Sequence, residues 1–493
     1  MGVLACCAMW CGAADVAHSQ EVDDDGPHIA EAPEAALAPS HVEGVSFTYG
    51  AWLGWADAQL VTTAAVGVGF VSEPVDIDLD LPLMLTLWDT QPSTPPVKPA
   101  TPTAACDVVR CDPLLDDHGQ WQWTQLSQVV RHVRVGRPEQ WLYGRAGPLR
   151  LQLGAGQLVD DYVSSPSYNR RVAAAYVQAQ WPQVAKLTAA TTNIVAPQEL
   201  SAVSLDVAPA ALVVSHDVGL WARWLRRLHL GATAAVDVTA PGASGVAALL
   251  PQTRPVGGAA AYASWEVLTL PFLQLTPTAA GSVLYGYGLR SQAPNVGAGT
   301  QLGMRVDVKL PYVAFSAQAS ATYDTAHHRA GVFGSLYRLE RMGHVPVSTS
   351  NAPLPAGWGA RGQLQMQLMQ AWRMAVEGVW DPDPSRHQLT ASTTWAWGPV
   401  LVQGALTSRP LADGWTTLQP TTMPLSTFTT AIEAQWALWG PLSLSAQLIR
   451  VPHVHASALA ASGPASLVST THVFVGVTGR VVSAVKPLAD WGS

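Results

Sequence analysis

The sequence predicts an all-β fold, a large antiparallel transmembrane β-barrel of 18–20 strands with short turns at one end and long loops at the other. Three observations carry this expectation. Period-2 alternation of apolar and polar residues runs over 11 to 15 residues at several places, longer than the roughly five or six residues of an ordinary strand and matching the ~9–11 of a tilted membrane strand. The 493 residues are 48% hydrophobic and only 13% charged, with 20 Trp and a mean hydropathy of +0.15, against about 25% charge in a usual soluble domain. After the first 20 residues, no uninterrupted apolar stretch reaches the ~18 residues that a spanning helix needs. A charge-poor chain without spanning helices can cross a bilayer only as a closed barrel. Disorder is excluded by the apolar content and the small net charge of -8. No nucleic-acid partner is expected, because the chain is acidic and carries no basic run.

At the N-terminus, Val3 to Ala14 is apolar and Ala17-His18-Ser19 offers small residues for cleavage, so residues 1–19 read as a signal peptide. No Lys or Arg precedes Lys98, and the usual basic n-region is missing. Val3-Leu4-Ala5-Cys6 is also similar to a lipoprotein acylation site, set very early in the chain. Residues 20–45 form an acidic segment, 46–482 the barrel and 483–493 a tail. Removal of the leader leaves Cys106 and Cys111, an even, closely spaced pair that reads as a small-loop disulfide in an exported chain. A metal site there would need two further ligands, and His118 is the one candidate nearby.

The strands announce themselves by parity. From Val75 to Leu87 every odd position is apolar, and the even positions begin Asp76, Asp78, Asp80. In 300–310, Leu302, Met304, Val306 and Val308 oppose Gln301, Arg305, Asp307 and Lys309. In 361–379, Leu364, Met366, Leu368, Trp372, Met374 and Val376 oppose Gln363, Gln365, Gln367, Arg373 and Glu377. In 427–438, Ile432, Ala434, Trp436 and Leu438 oppose Glu433 and Gln435. Short connections carry Pro after an aromatic or aliphatic residue, as in Trp181-Pro182, Leu310-Pro311 and Trp439-Gly440-Pro441. Long polar or Pro/Gly-rich stretches cover 89–125, 154–169, 239–257, 410–425 and 452–466. Twenty strands result, among them 141–153, 203–215, 330–340 and a single strand 361–379, with both termini at the short-turn end. This parity places 341–360 at that same end.

Long alternating strands, a cleavable leader and alternating connections resemble a Gram-negative outer-membrane β-barrel of the porin type, over roughly 46–482. Leu151 to Asp161, Tyr162 and Tyr168-Asn169-Arg170-Arg171-Val172 are similar to a strand–loop–strand segment of large uncharacterised barrels. The last residues, Trp491-Gly492-Ser493, depart from the terminal aromatic of such proteins. The resemblance implies a place in the cell outer membrane, with its lipid and the barrel-assembly machinery as partners.

Charge in lipid costs about 2–4 kcal/mol for Arg or Lys at the midplane, so charged strand residues should face the lumen. Arg305, Asp307, Lys309, Gln363, Gln365, Gln367, Arg373, Glu377 and Glu433 are therefore the expected pore-lining set. They imply a channel for passive diffusion of small hydrophilic solutes. The alternative is a plugged barrel that acts as a surface scaffold or binding protein through its outer loops. Residues 91–105, rich in Pro and Thr, form a stiff loop that either projects outward or folds into the pore. No cofactor, metal or enzyme activity is expected. His327-His328 with Asp324 read as a solvated outer loop. His453-x-His455 and Asp160-Asp161 show too few ligands for a metal. No Ser/His pair at matching depth is recognisable.

Overall fold

The computed structural model describes residues 44–56, 59–72, 74–89, 128–159, 162–164, 172–182, 184–213, 225–241, 253–286, 296–333, 356–369, 371–382, 387–408, 428–439, 442–454 and 467–484. The leader, residues 20–43 of the acidic segment, residues 91–105, Cys106, Cys111, Asp160, Asp161, His455 and residues 485–493 of the tail lie outside the described residues, while 44–45 and 483–484 belong to the barrel strands.

Twenty strands form one closed sheet. They are β1 (Gly44–Ala56), β2 (Gln59–Ser72), β3 (Val75–Asp89), β4 (Val130–Val135), β5 (Leu142–Gly147), β6 (Ala174–Trp181) and β7 (Ala185–Thr191). Next come β8 (Ser201–Val207), β9 (Leu228–Pro241), β10 (Thr253–Trp265, continued by Leu268–Leu270), β11 (Leu273–Tyr285), β12 (Val296–Lys309) and β13 (Val313–Asp324). The last seven are β14 (Gly357–Leu368), β15 (Trp372–Trp380), β16 (Gln388–Trp397), β17 (Val400–Ser408), β18 (Phe428–Trp439), β19 (Leu442–Val454) and β20 (Leu467–Ala484). Each pairs antiparallel with its neighbours in sequence. β20 pairs with β1 from Gly44↔Ala484 to Ala56↔His472 and shuts the cylinder. Closure leaves no sheet edge, which is what makes a sheet tolerable in hydrocarbon. This is the closed antiparallel barrel that the sequence predicts. Among the described residues no helix is long and apolar enough to cross a membrane.

The two ends differ as expected. Residues 73–74, 182–184, 271–272, 310–312, 369–371, 398–399 and 440–441 make short turns at one end, where Gly44 and Ala484 also lie. The opposite end carries 90–129, 148–173, 242–252, 325–356, 409–427 and 455–466. Two connections break the rule. The β1–β2 hairpin at 57–58 is tight at the long-loop end, and 208–227, with the short helix Pro209–Val213, is long at the short-turn end.

Several sequence-based strands need correction. Residues 330–333 are not a strand, because β13 pairs directly with β14. The expected single strand 361–379 is two, folded at 369–371 where Met369 takes a left-handed φ of 49°. These two changes cancel in the count. They also move 325–356 to the long-loop end, since Asp324 pairs with Gly357 there. The expected strand 141–153 stops at Gly147, and 203–215 stops at Val207.

Side chains alternate between two environments, as the pleat requires. The outer face carries exposed aliphatics such as Leu53, Val66, Val68, Val203, Leu302, Ile432, Val475 and Val477. Two aromatic rows flank this band. Trp181, Phe272, Tyr312, Trp395, Trp397 and Trp436 stand exposed near the short turns, and Trp55, Trp88, Tyr285, Tyr323, Trp358 and Trp380 near the long loops. Trp395 stacks on Trp397, and Tyr323 meets Trp358 edge-on. Along β13, Tyr312 and Tyr323 are eleven positions apart. At a rise of ~3.4 Å and a tilt of ~40° they are roughly 28 Å apart along the axis, close to the ~25–30 Å of a hydrocarbon core.

Candidate functional site

The interior of the barrel is divided. After β5 the chain turns inward as a small hairpin, in which Arg150–Leu151 pair with Tyr162–Val163. Ser164 closes its base, donating its N–H to the Leu149 carbonyl while its Oγ accepts the Leu149 N–H at 2.8 Å. Period-2 alternation puts Leu149, Leu151 and Leu153 on one buried side, joined by Leu158, Val159 and Tyr162. They pack on Tyr176, Ala190, Ala235, Ala260 and Leu284 of the inner wall. Fully burying one such Leu is worth about 1.5–3 kcal/mol, enough to hold a short hairpin against the wall.

The tip turns on Gly154 and Gly156, both left-handed at φ 60° and 72°. A Cβ on Gly154 would stand 2.4 Å from Thr233 Oγ1 and 2.8 Å from Tyr262 Cε1, so the tip touches β9 and β10 with bare backbone. Beneath it, Tyr262 donates to Asp206 at 2.8 Å, and His229 Nδ1 lies 3.1 Å from the same carboxylate. A second inward piece adds to the hairpin edge. Gly331 N–H donates to the Gln157 carbonyl at 2.7 Å and Phe333 N–H to the Leu158 carbonyl at 3.0 Å, and Val332 and Phe333 join the buried cluster.

A polar relay ties these pieces to the wall. Gln157 hydrogen-bonds with Gln301 of β12, and its Oε1 accepts from Ser282 Oγ of β11 at 2.9 Å. Ser282 Oγ lies 2.8 Å from His328 Nε2, and His328 Nδ1 lies 2.5 Å from Asp324 Oδ1. The expectation of a solvated loop is therefore overturned for Asp324 and His328, which are 4% and 3% exposed, while His327 keeps partial exposure. His327 adopts φ 68°, which turns the next side chain inward. Gly297 and Gly299 clear its seat, because a Cβ on Gly299 would sit 2.2 Å from His328 Cε1. A Ser/His pair at one depth does exist, with an Asp behind it. Its hydroxyl is buried and capped by the Gln157 amide, so the trio binds protein rather than offering a nucleophile to solvent.

The residues expected to face the lumen share the face of Gln301 and Ser282, which is the inner one. Register gathers them on three adjacent rungs. Lys309, Ala314, Gln367, Arg373, Thr394, Gln403 and Glu433 form one. Asp307, Ser316 and Gln365 form the second, and Arg305, Gln318, Gln363 and Glu377 the third. Arg305 Nε meets Asp307 Oδ2 at 2.9 Å, and Gln435 Nε2 donates to Glu433 at 2.8 Å. Arg361 also lies on this wall and pairs with Glu377 at 2.6 Å, a partner that parity alone did not single out. Across the seam, Asp76 and Asp78 on β3 face Arg131, His132 and Arg134, each contact at 3.7 Å.

The two halves of the wall differ in cover. Inward Ala174, Tyr176, Ala190, Ala235 and Ala260 are buried beneath the hairpin, whereas Gln363, Gln365, Gln367 and Glu377 keep partial exposure and Arg373 and Lys309 are exposed. The hairpin was missed in the sequence, yet a signal existed. Inward positions of β6 to β11 hold Ala174, Ala190, Ala202, Ala235, Gly258, Ala260 and Leu284, and small apolar residues facing a wet lumen mark a surface that something covers.

No family model matches this chain, and no curated protein matches it in sequence. Among solved structures, it is similar to CdiB from Acinetobacter baumannii, at 8% identity and a TM-score of 0.29 over 89% of this chain and 60% of that one. The chain thus spans well under two thirds of CdiB. It is similar to the ferric enterobactin receptor of Pseudomonas aeruginosa at 10% identity and 0.36, over 89% and 81%. It is also similar to OccAB4 of Acinetobacter baumannii at 8% and 0.35, over 90% and 100%. These are outer-membrane barrels.

Proposed function

We propose that this protein is an outer-membrane channel for passive diffusion of small hydrophilic solutes, with its path along the uncovered half of the lumen. One observation carries the reading. The three polar rungs on β12 to β18 retain exposure at Arg305, Lys309, Gln363, Gln365, Gln367, Arg373, Glu377 and Glu433, where the opposite wall is covered, while Asp307 lies buried among them beside Arg305. Twenty strands enclose more space than side chains alone fill, and among the described residues the hairpin narrows that space from one side. Neighbouring charges of both signs on this wall, Arg305 with Asp307 and Arg361 with Glu377, suit a weakly selective path for neutral and mixed solutes. The two aromatic rows match the interfaces of a bilayer and support the membrane setting, with lipid and the assembly machinery of such barrels as partners.

A second reading, a plugged barrel that binds a surface partner, is favoured by the same hairpin and by the docking of 331–333 on it. Single-channel recording in planar bilayers separates the two. Steady openings are expected. Silence from protein that shows heat-modifiable migration, and so is folded, would overturn the channel and favour the plug.

A further inference from the structure

We infer that Gln157 is a positioning residue, the point at which a polar latch fixes the lumen hairpin and the 325–333 segment to the wall and to each other. The apolar grip of the hairpin, Leu149 to Tyr162 on an Ala- and Gly-rich wall, is non-directional, and burial alone does not set how far the tip advances into the lumen. The relay from Gln301 through Gln157, Ser282 and His328 to Asp324 is directional at every joint. It links four separate pieces of chain, namely β12, the hairpin, β11, and the β13 end with its following turn. Ser282 and His328 are 5% and 3% exposed, and Gln157 2%. Loss of one member leaves buried polar partners unmatched, a larger penalty than the bond itself contributes.

The wall is shaped for this latch. Gly299 leaves the His328 ring the space that a Cβ would take, Gly297 does the same for the His327–His328 backbone, and the left-handed His327 aims that ring at Ser282. The backbone joints Gly331 to Gln157 and Phe333 to Leu158 then make the two inward pieces one body. Release at Ser282 therefore loosens both. That this widens a conducting path rests on the channel reading above; the latch itself does not.

The test is hydrogen–deuterium exchange on the full-length barrel in lipid nanodiscs, for the wild type, Gln157→Ala and Ser282→Ala, with Gln363→Ala as a distant lumen control. Heat-modifiable migration checks that each is folded. Both latch variants should speed exchange at Leu153, Gly331 and Phe333 by on the order of tenfold, with strand amides and the control unchanged. Ser282→Ala matters most, because Ser282 lies on the wall strand β11 and joins the hairpin through its hydroxyl. Unchanged exchange in both variants would overturn the latch, whatever the conductance. Bilayer recording of the same proteins reads the channel separately. Larger openings in the latch variants join the two readings, whereas faster exchange with silent bilayers supports the latch and counts against the channel.

Discussion

Trp52 shows how single residues hold the closing seam. Its indole Nε1 donates to Ser445 Oγ at 3.0 Å, reaching from β1 across β20 to β19. The ring lies over bare backbone, since a Cβ on Gly476 would meet Trp52 Cδ1 at 2.1 Å. Trp52→Phe should keep an aromatic ring but lose the bond and the five-membered ring, the bond alone costing about 1 kcal/mol. Gly476→Ala should cost more, roughly 1–3 kcal/mol, because the ring must leave its seat. Urea unfolding from lipid vesicles measures both, and a neutral Gly476→Ala would mean that the ring does not rest there. The same contrast between side chain and bare backbone recurs at Gly299 under His328 and at Gly154 against Tyr262. At Gly476 and Gly299 it is visible in sequence only as a glycine on inward parity, and at Gly154 only as a glycine in a turn.

At the scale of the strand, facing decides the cost of charge. Leu368 is the last residue of β14, beside the turn, where a charge costs only about 0–1 kcal/mol. Leu302 lies in mid-β12 and is 69% exposed on the outer face. Leu302→Arg should destabilise the barrel by about 2–4 kcal/mol in folding titrations into vesicles, and Gln363→Arg by much less, since it enters the lumen. Equal losses would mean that β12 and β14 do not present one face to lipid. The facing of 361–379 was legible even though its continuity was misread. The turn 369–371 contains neither Pro nor Gly, and Met369 supplies the left-handed residue. Leu368 pairs with Trp372 and Gln367 with Arg373, so even and odd positions keep their sides through the fold.

For the whole molecule, connection length and the two aromatic rows orient the barrel. We propose that the short turns, including Gly398, face the periplasm and the long loops, including Asp381, the cell surface. A cysteine at Asp381 should react with a membrane-impermeant thiol reagent on intact cells, and one at Gly398 only after lysis. The reverse pattern would invert the barrel and exchange its proposed entrance and exit. Conductance then asks whether the uncovered half of the lumen is continuous between these ends.

The closed antiparallel class and the alternation within each strand were legible in the sequence, because a period of two repeats along a strand and lipid penalises every violation. Strand ends were not, and the count of twenty was reached through two misreadings that cancel. The nine charged and amide residues proposed to line the path were singled out by the same parity. The lumen hairpin and the relay of Gln157, Ser282, His328 and Asp324 were decided only by the tertiary structure. Ser282 and His328 lie 46 positions apart, and nothing periodic joins them. They meet because the closed sheet brings the ends of β11 and β13 to one rim and the chain turns inward there. An inward turn is driven by apolar burial on the far wall, a contact that no local pattern encodes.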